Sequence, residues 1–132
     1  DGTDWEIAIR DPFDTSKTIA MLSVTGDAAI VTSGSYERYF EENGQIYHHI
    51  MNPRTGRPTD SGLVSVTIVA DDGFLADGLS TALFVMGLDD AISFWRASND
   101  FEAVLIDSDG TIYVTEGLAD RITCELYQVI SR

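Results

Sequence analysis

The stretch LVSVTIVADDGFLADGLSTALFVMG, residues 63–87, decides the fold class. Its first eight residues, Leu63 to Ala70, place β-branched side chains at Val64, Val66, Thr67, Ile68 and Val69. The run is apolar on both faces toward its end, the pattern of a strand covered on both sides. The period then changes. Leu75, Leu79, Ala82, Leu83 and Met86 fall on one stripe of a helix, so residues 74–86 are expected to bury that stripe. Asp71, Asp72 and Gly73 supply the approach to the helix, and Gly87 is placed to end it.

Working outward, the chain reads as strands, then helix, then strands again. WEIAIRD alternates, with Trp5, Ile7 and Ile9 on one face. TIAMLSV and AAIVTS are two further strands separated by a turn near Gly26. GQIYHHI is rich in strand formers and ends at MNPRTGRP, where Pro53, Gly56 and Pro58 mark a loop. Downstream, DDAISFWRAS reads as a second helix with acids in its first turn. EAVLIDSDGTIYVTEG reads as a hairpin around Asp-Ser-Asp-Gly, and ITCELYQVI as a strand or a short helix. The expected class is α+β: a mostly antiparallel sheet with two or three helices packed on it, in one domain.

Composition narrows function. The 132 residues carry 22 acids against 8 bases, a net charge of −14. A phosphate backbone would be repelled, which argues against nucleic-acid binding. An anionic ligand would need a metal ion, a helix N-terminus or a basic surface from elsewhere to offset the same field. Lys17 is the sole lysine, so Schiff-base chemistry lacks a good candidate. Cys124 is the sole cysteine, which leaves no intrachain disulfide and makes a buried apolar thiol its expected role. No apolar run approaches the roughly 20 residues of a membrane-spanning helix.

Three constellations can carry chemistry. On the helix face opposite the apolar stripe, Asp77, Ser80, Thr81 and Phe84 cluster, with Asp77 and Thr81 one turn apart. A carboxylate with one or two hydroxyls offers hard oxygen ligands of the kind Mg²⁺ takes. Spacing alone favours the plainer reading, a solvated face, although Phe84 there implies that both sides of the helix are covered. His48 and His49 are the only histidines. Neighbours on a strand point to opposite faces, so one at most enters a given site. The loop after them adds Arg54, Thr55 and Arg57, a pair of bases that either greets a phosphate or pairs with surface acids. Finally, Thr32-Ser33-Gly34 is expected to form a turn after a strand, exposing backbone N–H groups.

Taken together, TSGSYERYF, HHIMNPRTGRP, LVSVTIVA and ADGLSTALFVMG, in this order and spacing, resemble the C-terminal half of the ApbE family. These are the flavin transferases (FAD:protein FMN transferases), formerly labelled thiamine-biosynthesis lipoproteins. The resemblance implies an ApbE, T-fold-like architecture and an Mg²⁺-dependent transfer of FMN from FAD to a threonine of a target flavoprotein, with release of AMP. Acceptors of that kind are subunits of Nqr- or Rnf-type electron-transfer complexes. It further implies His49 as the base for the incoming hydroxyl, and Met51, Thr55 and Ser33 as flavin-nucleotide contacts. Asp77, Ser80 and Thr81 fall at Mg²⁺-ligand positions. Asn52 stands where the family usually has Asp. The family's N-terminal half, with its FAD-holding stretch, is expected to be missing from residues 1–132, so the piece alone is expected to be inactive. An FAD pyrophosphatase and a non-catalytic flavin-nucleotide-binding module are the alternatives. In full length the family implies a periplasmic or membrane-anchored lipoprotein.

Overall fold

A computed structural model describes residues 4–14, 16–25, 28–34, 39–42, 45–48, 51–52, 57–58, 62–124 and 127–131, with backbone only at 4, 25, 39–42, 45–48, 51–52 and 57–58. In chain order the strands are β1 (Asp4–Arg10), β2 (Thr18–Thr25), β3 (Ala29–Gly34), β4 (Tyr39–Glu42), β5 (Gln45–His48), β6 (Met51–Asn52), β7 (Arg57–Pro58) and β8 (Leu63–Ala70). Helices α1 (Gly73–Met86) and α2 (Leu88–Arg96) follow. Then come β9 (Phe101–Asp107), β10 (Ile112–Thr115), a 3-10 turn (Glu116–Leu118), β11 (Ile122–Thr123) and β12 (Gln128–Ile130).

These elements build three layers. The middle layer is a five-stranded sheet in the order β12-β10-β9-β8-β3, antiparallel except for the β10–β12 pair. The two helices cover one face, and a three-stranded sheet, β1-β2-β11, covers the other. The expected α+β class, with helices on a mostly antiparallel sheet, is what the structure has. β8 explains why residues 63–70 are apolar on both faces. Val66, Ile68 and Ala70 join the helix-side core with Leu79, Leu83, Phe84 and Trp95. Val64 and Val69 pack with Leu22, Val104, Ile106 and Val114 on the other side. Burying a strand on both faces removes its apolar surface from water on each side, at about 25 cal/mol per Å², and β9 is covered in the same way, with Ala103 and Leu105 on the helix side and Val104 and Ile106 on the other.

Local chemistry sets the joints. Asp72 caps α1, its side chain accepting from the Phe74 N–H at 2.9 Å. Gly87 ends that helix with φ +88°, a conformation glycine adopts without a steric penalty. In the β9–β10 hairpin, Asp107 accepts from the N–H groups of Asp109 and Thr111, both at 3.0 Å, and Gly110 has φ +87°. Burial and the Asp107 carboxylate, which accepts from the Tyr113 hydroxyl, push the Tyr113 pKa up.

For residues 122–130, where strand and short helix are both open, the structure has two short strands, so no correction is needed there. Several other expectations do need correction. Trp5 does not share the burial of Ile9 on β1: it is 63% exposed, whereas Ile9 is buried. The Thr32-Ser33-Gly34 segment is no turn: Ser33 and Gly34 continue β3, opposite Val66 and Ser65 of β8, and both are buried. Cys124 is half-buried against the second core. The expected turn near Gly26 lies outside the described residues.

The largest revision concerns α1. Its buried residues are Ala76, Leu79, Ser80, Leu83 and Phe84, while Leu75 and Ala82 are exposed. The buried face is therefore turned roughly a quarter turn from the stripe that spacing picked out. Apolar residues occur on nearly every side of α1, so periodicity alone has little purchase. A serine at the centre of the contact surface, Ser80, disguises the true face further.

Candidate functional site

The site is built where α1 lies along β3. A methyl group at Gly73 would sit 3.6 Å from the Ala29 Cβ, which puts the start of the helix over the start of the strand. Two turns on, the Ser80 hydroxyl meets the Ser33 hydroxyl at 2.8 Å, and Thr81 Oγ1 lies 3.4 Å from the same Ser33 oxygen. Asp77 falls between these anchors, at the i+4 step from Gly73 and the i−4 step from Thr81. The line Gly73–Asp77–Thr81 thus runs above β3, at the outer edge of the five-stranded sheet.

The proton directions follow from the geometry. Ser80 donates its hydrogen to the Asp77 carbonyl at 2.9 Å. It has no second hydrogen, so Ser33 donates to Ser80. The Ser33 lone pairs are then free to accept from Thr81, and the longer 3.4 Å separation makes that the weakest link. Ser80 is fully buried, whereas Asp77 and Thr81 are exposed. The three hydroxyls therefore have two roles: Ser33 and Ser80 lock strand to helix, and Asp77 and Thr81 present oxygen atoms to the outside.

Asp77 sits in the second turn of α1, since the first turn contains no acid. Its carboxylate is thus not an N-terminal charge complementing the helix dipole, and among the described residues it makes no ion pair. No group of three or more His, Cys, Asp or Glu side chains converges among the described residues. Asp77 and Thr81 supply hard oxygen donors suited to Mg²⁺ rather than to a thiophilic metal, and a two-ligand set leaves positions for water and phosphate oxygens. The fit is good for those two residues. Ser80 fits less directly, because its hydroxyl is buried and engaged on both sides.

The structure brings Ser33, Asp77, Ser80 and Thr81 together. The same cannot be said of His49, Met51 and Thr55. β5 ends at His48, paired with Tyr39 of β4, and Met51–Asn52 pairs with Arg57–Pro58. His49 and Thr55 lie outside the described residues, and of His48, Met51 and Asn52 only the backbone is described. Spacing missed the link from Ser33 to Ser80 and Thr81. No signal within either segment pairs residues 47 positions apart; only the sheet order does.

A cavity of about 800 Å³ opens far from α1, lined by Asp11, Lys17, Thr18, Ile19, Ile112 and Cys124 among others. None of the residues chosen for chemistry lines it.

With this geometry in hand, the similarities to known proteins fall into place. The ApbE family model matches residues 1–105. The chain belongs to the ApbE family. It is 38% identical over 119 residues to the FAD:protein FMN transferase of Treponema pallidum, covering 90% of this chain and 33% of that protein. Against the FAD:protein FMN transferase of Klebsiella pneumoniae it is 36% identical over 113 residues, covering 85% of this chain and 35% of that protein. The crystal structure of the ApbE protein of Thermotoga maritima superposes with a TM-score of 0.78 at 37% identity, covering 87% of this chain and 37% of that one. The flavin transferase ApbE of Vibrio cholerae gives 0.68 at 33% identity, with 89% and 37% covered. The chain spans about a third of the length of the curated relatives it matches.

Proposed function

We infer that these residues form one part of an Mg²⁺-dependent FAD:protein FMN transferase, which moves FMN from FAD to a threonine hydroxyl of a flavoprotein and releases AMP. The observation that carries this reading is the pair Asp77 and Thr81, held outward over the sheet edge by the Ser33–Ser80 lock, in a chain whose relatives are named FAD:protein FMN transferases.

The chemistry required is a phosphoryl transfer, in which positioning and charge neutralisation do most of the work. A bound Mg²⁺ would supply the positive charge that a chain of net charge −14 otherwise lacks. Asp77 and Thr81 are the residues that would hold it, and Ser80 fixes their helix against β3 rather than reaching outward. His49 takes the proton from the incoming hydroxyl in this reading, a role worth around 10²–10⁴-fold. Met51, Thr55 and Ser33 are assigned to the flavin nucleotide. For Ser33 the buried bond to Ser80 favours an indirect part, setting the position of Thr81. Asn52, in place of an Asp, would orient the loop without adding a charge. The acceptor is proposed to be an Nqr- or Rnf-type flavoprotein subunit.

The test is flavinylation of an acceptor protein by a chain of full family length carrying these residues, with FAD and Mg²⁺. His49→Ala should abolish FMN transfer while FAD remains bound. Undiminished transfer would remove His49 from the mechanism. FMN and AMP appearing without acceptor labelling would make the chain a hydrolase.

A further inference from the structure

Phe74 is 91% exposed, the most exposed of the large apolar side chains among the described residues. A lone apolar residue on a surface is ordinary and needs no partner. Phe74 does not stand alone. Gly78, Thr81 and Val85 follow it on α1 at i+4, i+7 and i+11, the steps that keep residues on one face of a helix. Phe74, Gly78 and Thr81 are exposed and Val85 is half-buried, so the stripe forms an outer face of α1. Asp77, three residues after Phe74, borders it, and the stripe therefore runs beside the Asp77–Thr81 pair.

Gly78 works against the helix that contains it. Glycine in a helix interior is less favourable than alanine, because its backbone loses more freedom on folding. A methyl group at Gly78 would meet nothing within 4 Å, and the residue is not in the left-handed region, so neither packing nor conformation calls for glycine there. What it leaves is bare backbone between Phe74 and Thr81, open to close approach from outside. Charge then narrows what can approach. No lysine or arginine occurs between Arg57 and Arg96, whereas Asp71 and Asp72 precede α1 and Asp77 lies within it, all three exposed. A basic surface is drawn to such a face and an acidic one is repelled.

We propose that the Phe74–Gly78–Thr81 face of α1 docks the acceptor protein. An apolar side chain near the target threonine packs on Phe74, the acceptor backbone settles on Gly78, and a lysine or arginine beside it pairs with Asp71 and Asp72. The proposal rests on the flavin-transferase reading above and names the surface that selects its second substrate. The occupant follows from the reaction. The threonine oxygen forms a bond to the phosphorus of the FMN half of FAD as the bond from that phosphorus to the AMP oxygen breaks. The hydroxyl proton passes to His49 and AMP leaves. The acceptor backbone must therefore come within a side chain's length of the phosphates that Asp77 and Thr81 serve, and Phe74 stands one helical turn from Asp77.

The experiment is steady-state flavinylation of an Nqr- or Rnf-type acceptor subunit by a chain of full family length, with FAD and Mg²⁺. Phe74→Ser should raise KM for the acceptor at least about tenfold, with KM for FAD and the melting temperature unchanged. Gly78→Ala should raise the melting temperature by about 1–3 °C and still raise the acceptor KM about fivefold, a split that a purely structural glycine would not give. Val129→Ser, at a residue 49% exposed on β12, is the control and should move neither KM. In the unsubstituted chain the acceptor KM should climb about threefold or more when salt is raised from about 50 to about 300 mM. An acceptor KM that neither α1 variant moves would overturn the docking face. So would a raised KM for FAD, which hands the face to the nucleotide, or early melting of Phe74→Ser, which puts Phe74 inside the longer fold. An acceptor KM indifferent to salt would remove the basic partner. An unsubstituted chain that labels no acceptor would sink the flavin-transferase reading itself, and this proposal with it.

Discussion

Two of the polar clusters among the described residues are built differently. Ser33, Ser80 and Thr81 meet between α1 and the edge strand β3, with Asp77 beside them facing out. Glu102, Thr115 and Gly117 meet where β9 and β10 run into the 3-10 turn. There the Thr115 hydroxyl donates to the Glu102 carboxylate at 2.5 Å and accepts from the Ala103 N–H at 3.0 Å. A side chain at Gly117 would come within 2.5 Å of the Glu102 carboxyl carbon, so the glycine is what lets the carboxylate fold back. The second cluster closes on itself and uses its acid to satisfy a buried hydroxyl. The first uses its buried hydroxyls to hold an acid in the open. A carboxylate tied to a buried partner reads as structural, whereas one held rigidly outward by such partners is available for a ligand.

Substitutions should separate the two clusters along different axes. The largest effect belongs to Asp77→Asn in a chain of full family length. FMN transfer should fall by about a hundredfold or more, on the order of 3 kcal/mol of transition-state stabilisation, with the melting temperature unchanged. Asp77 is exposed and its side chain makes no ion pair among the described residues, so the fold has little to lose. A variant that melts early but retains turnover would invert the assignment of the open cluster.

Thr115→Val should do the opposite. It removes the acceptor of the Ala103 N–H and the donor to Glu102 from a residue 1% exposed. A loss of about 1–3 kcal/mol in denaturant unfolding is expected, with turnover per folded molecule unaffected. A neutral result would show that the closed cluster contributes no more than the valine methyl that replaces it.

The contrast also marks what spacing along the chain could reveal. Elements with a single dominant signal were legible: the β-branched run of β8, the Asp-Ser-Asp-Gly hairpin and the Gly87 stop all stand where their residues put them. The buried face of α1 was not, because Leu75, Ala82 and Phe74 are as apolar as the residues that are buried. The choice among them is made by β3, which brings Ser33 under Ser80 across 47 residues of sequence. Ser33 and Gly34 likewise read as turn formers, yet pairing with β8 extends the strand through them, a tertiary override of local preference. The Asp77–Thr81 pairing was visible from helical spacing, but its exposure at a sheet edge depends on strand order, which no local pattern encodes.

Ser80→Ala is the smallest expected effect and the closest test of how the open cluster works. Ser80 spends its one hydrogen on the Asp77 carbonyl within its own helix, a bond whose loss leaves that carbonyl its helical partner. Ser33 then loses an acceptor, but Thr81 Oγ1 at 3.4 Å is close enough to take its hydrogen after a small rotation. The stability loss should therefore be about 0.5–1.5 kcal/mol, below that of Thr115→Val. Transfer should fall less than for Asp77→Asn, because Ser80 only positions the helix that carries Asp77 and Thr81. Rotation of the Ser33 hydroxyl toward Thr81 ties up an oxygen that the reading assigns to Mg²⁺. Its sign is a weaker response of transfer to Mg²⁺, with the concentration for half-maximal activity raised and the maximal rate nearly kept. An unchanged Mg²⁺ response together with a loss above about 3 kcal/mol would make the Ser33–Ser80 contact a closed structural cluster of the second kind.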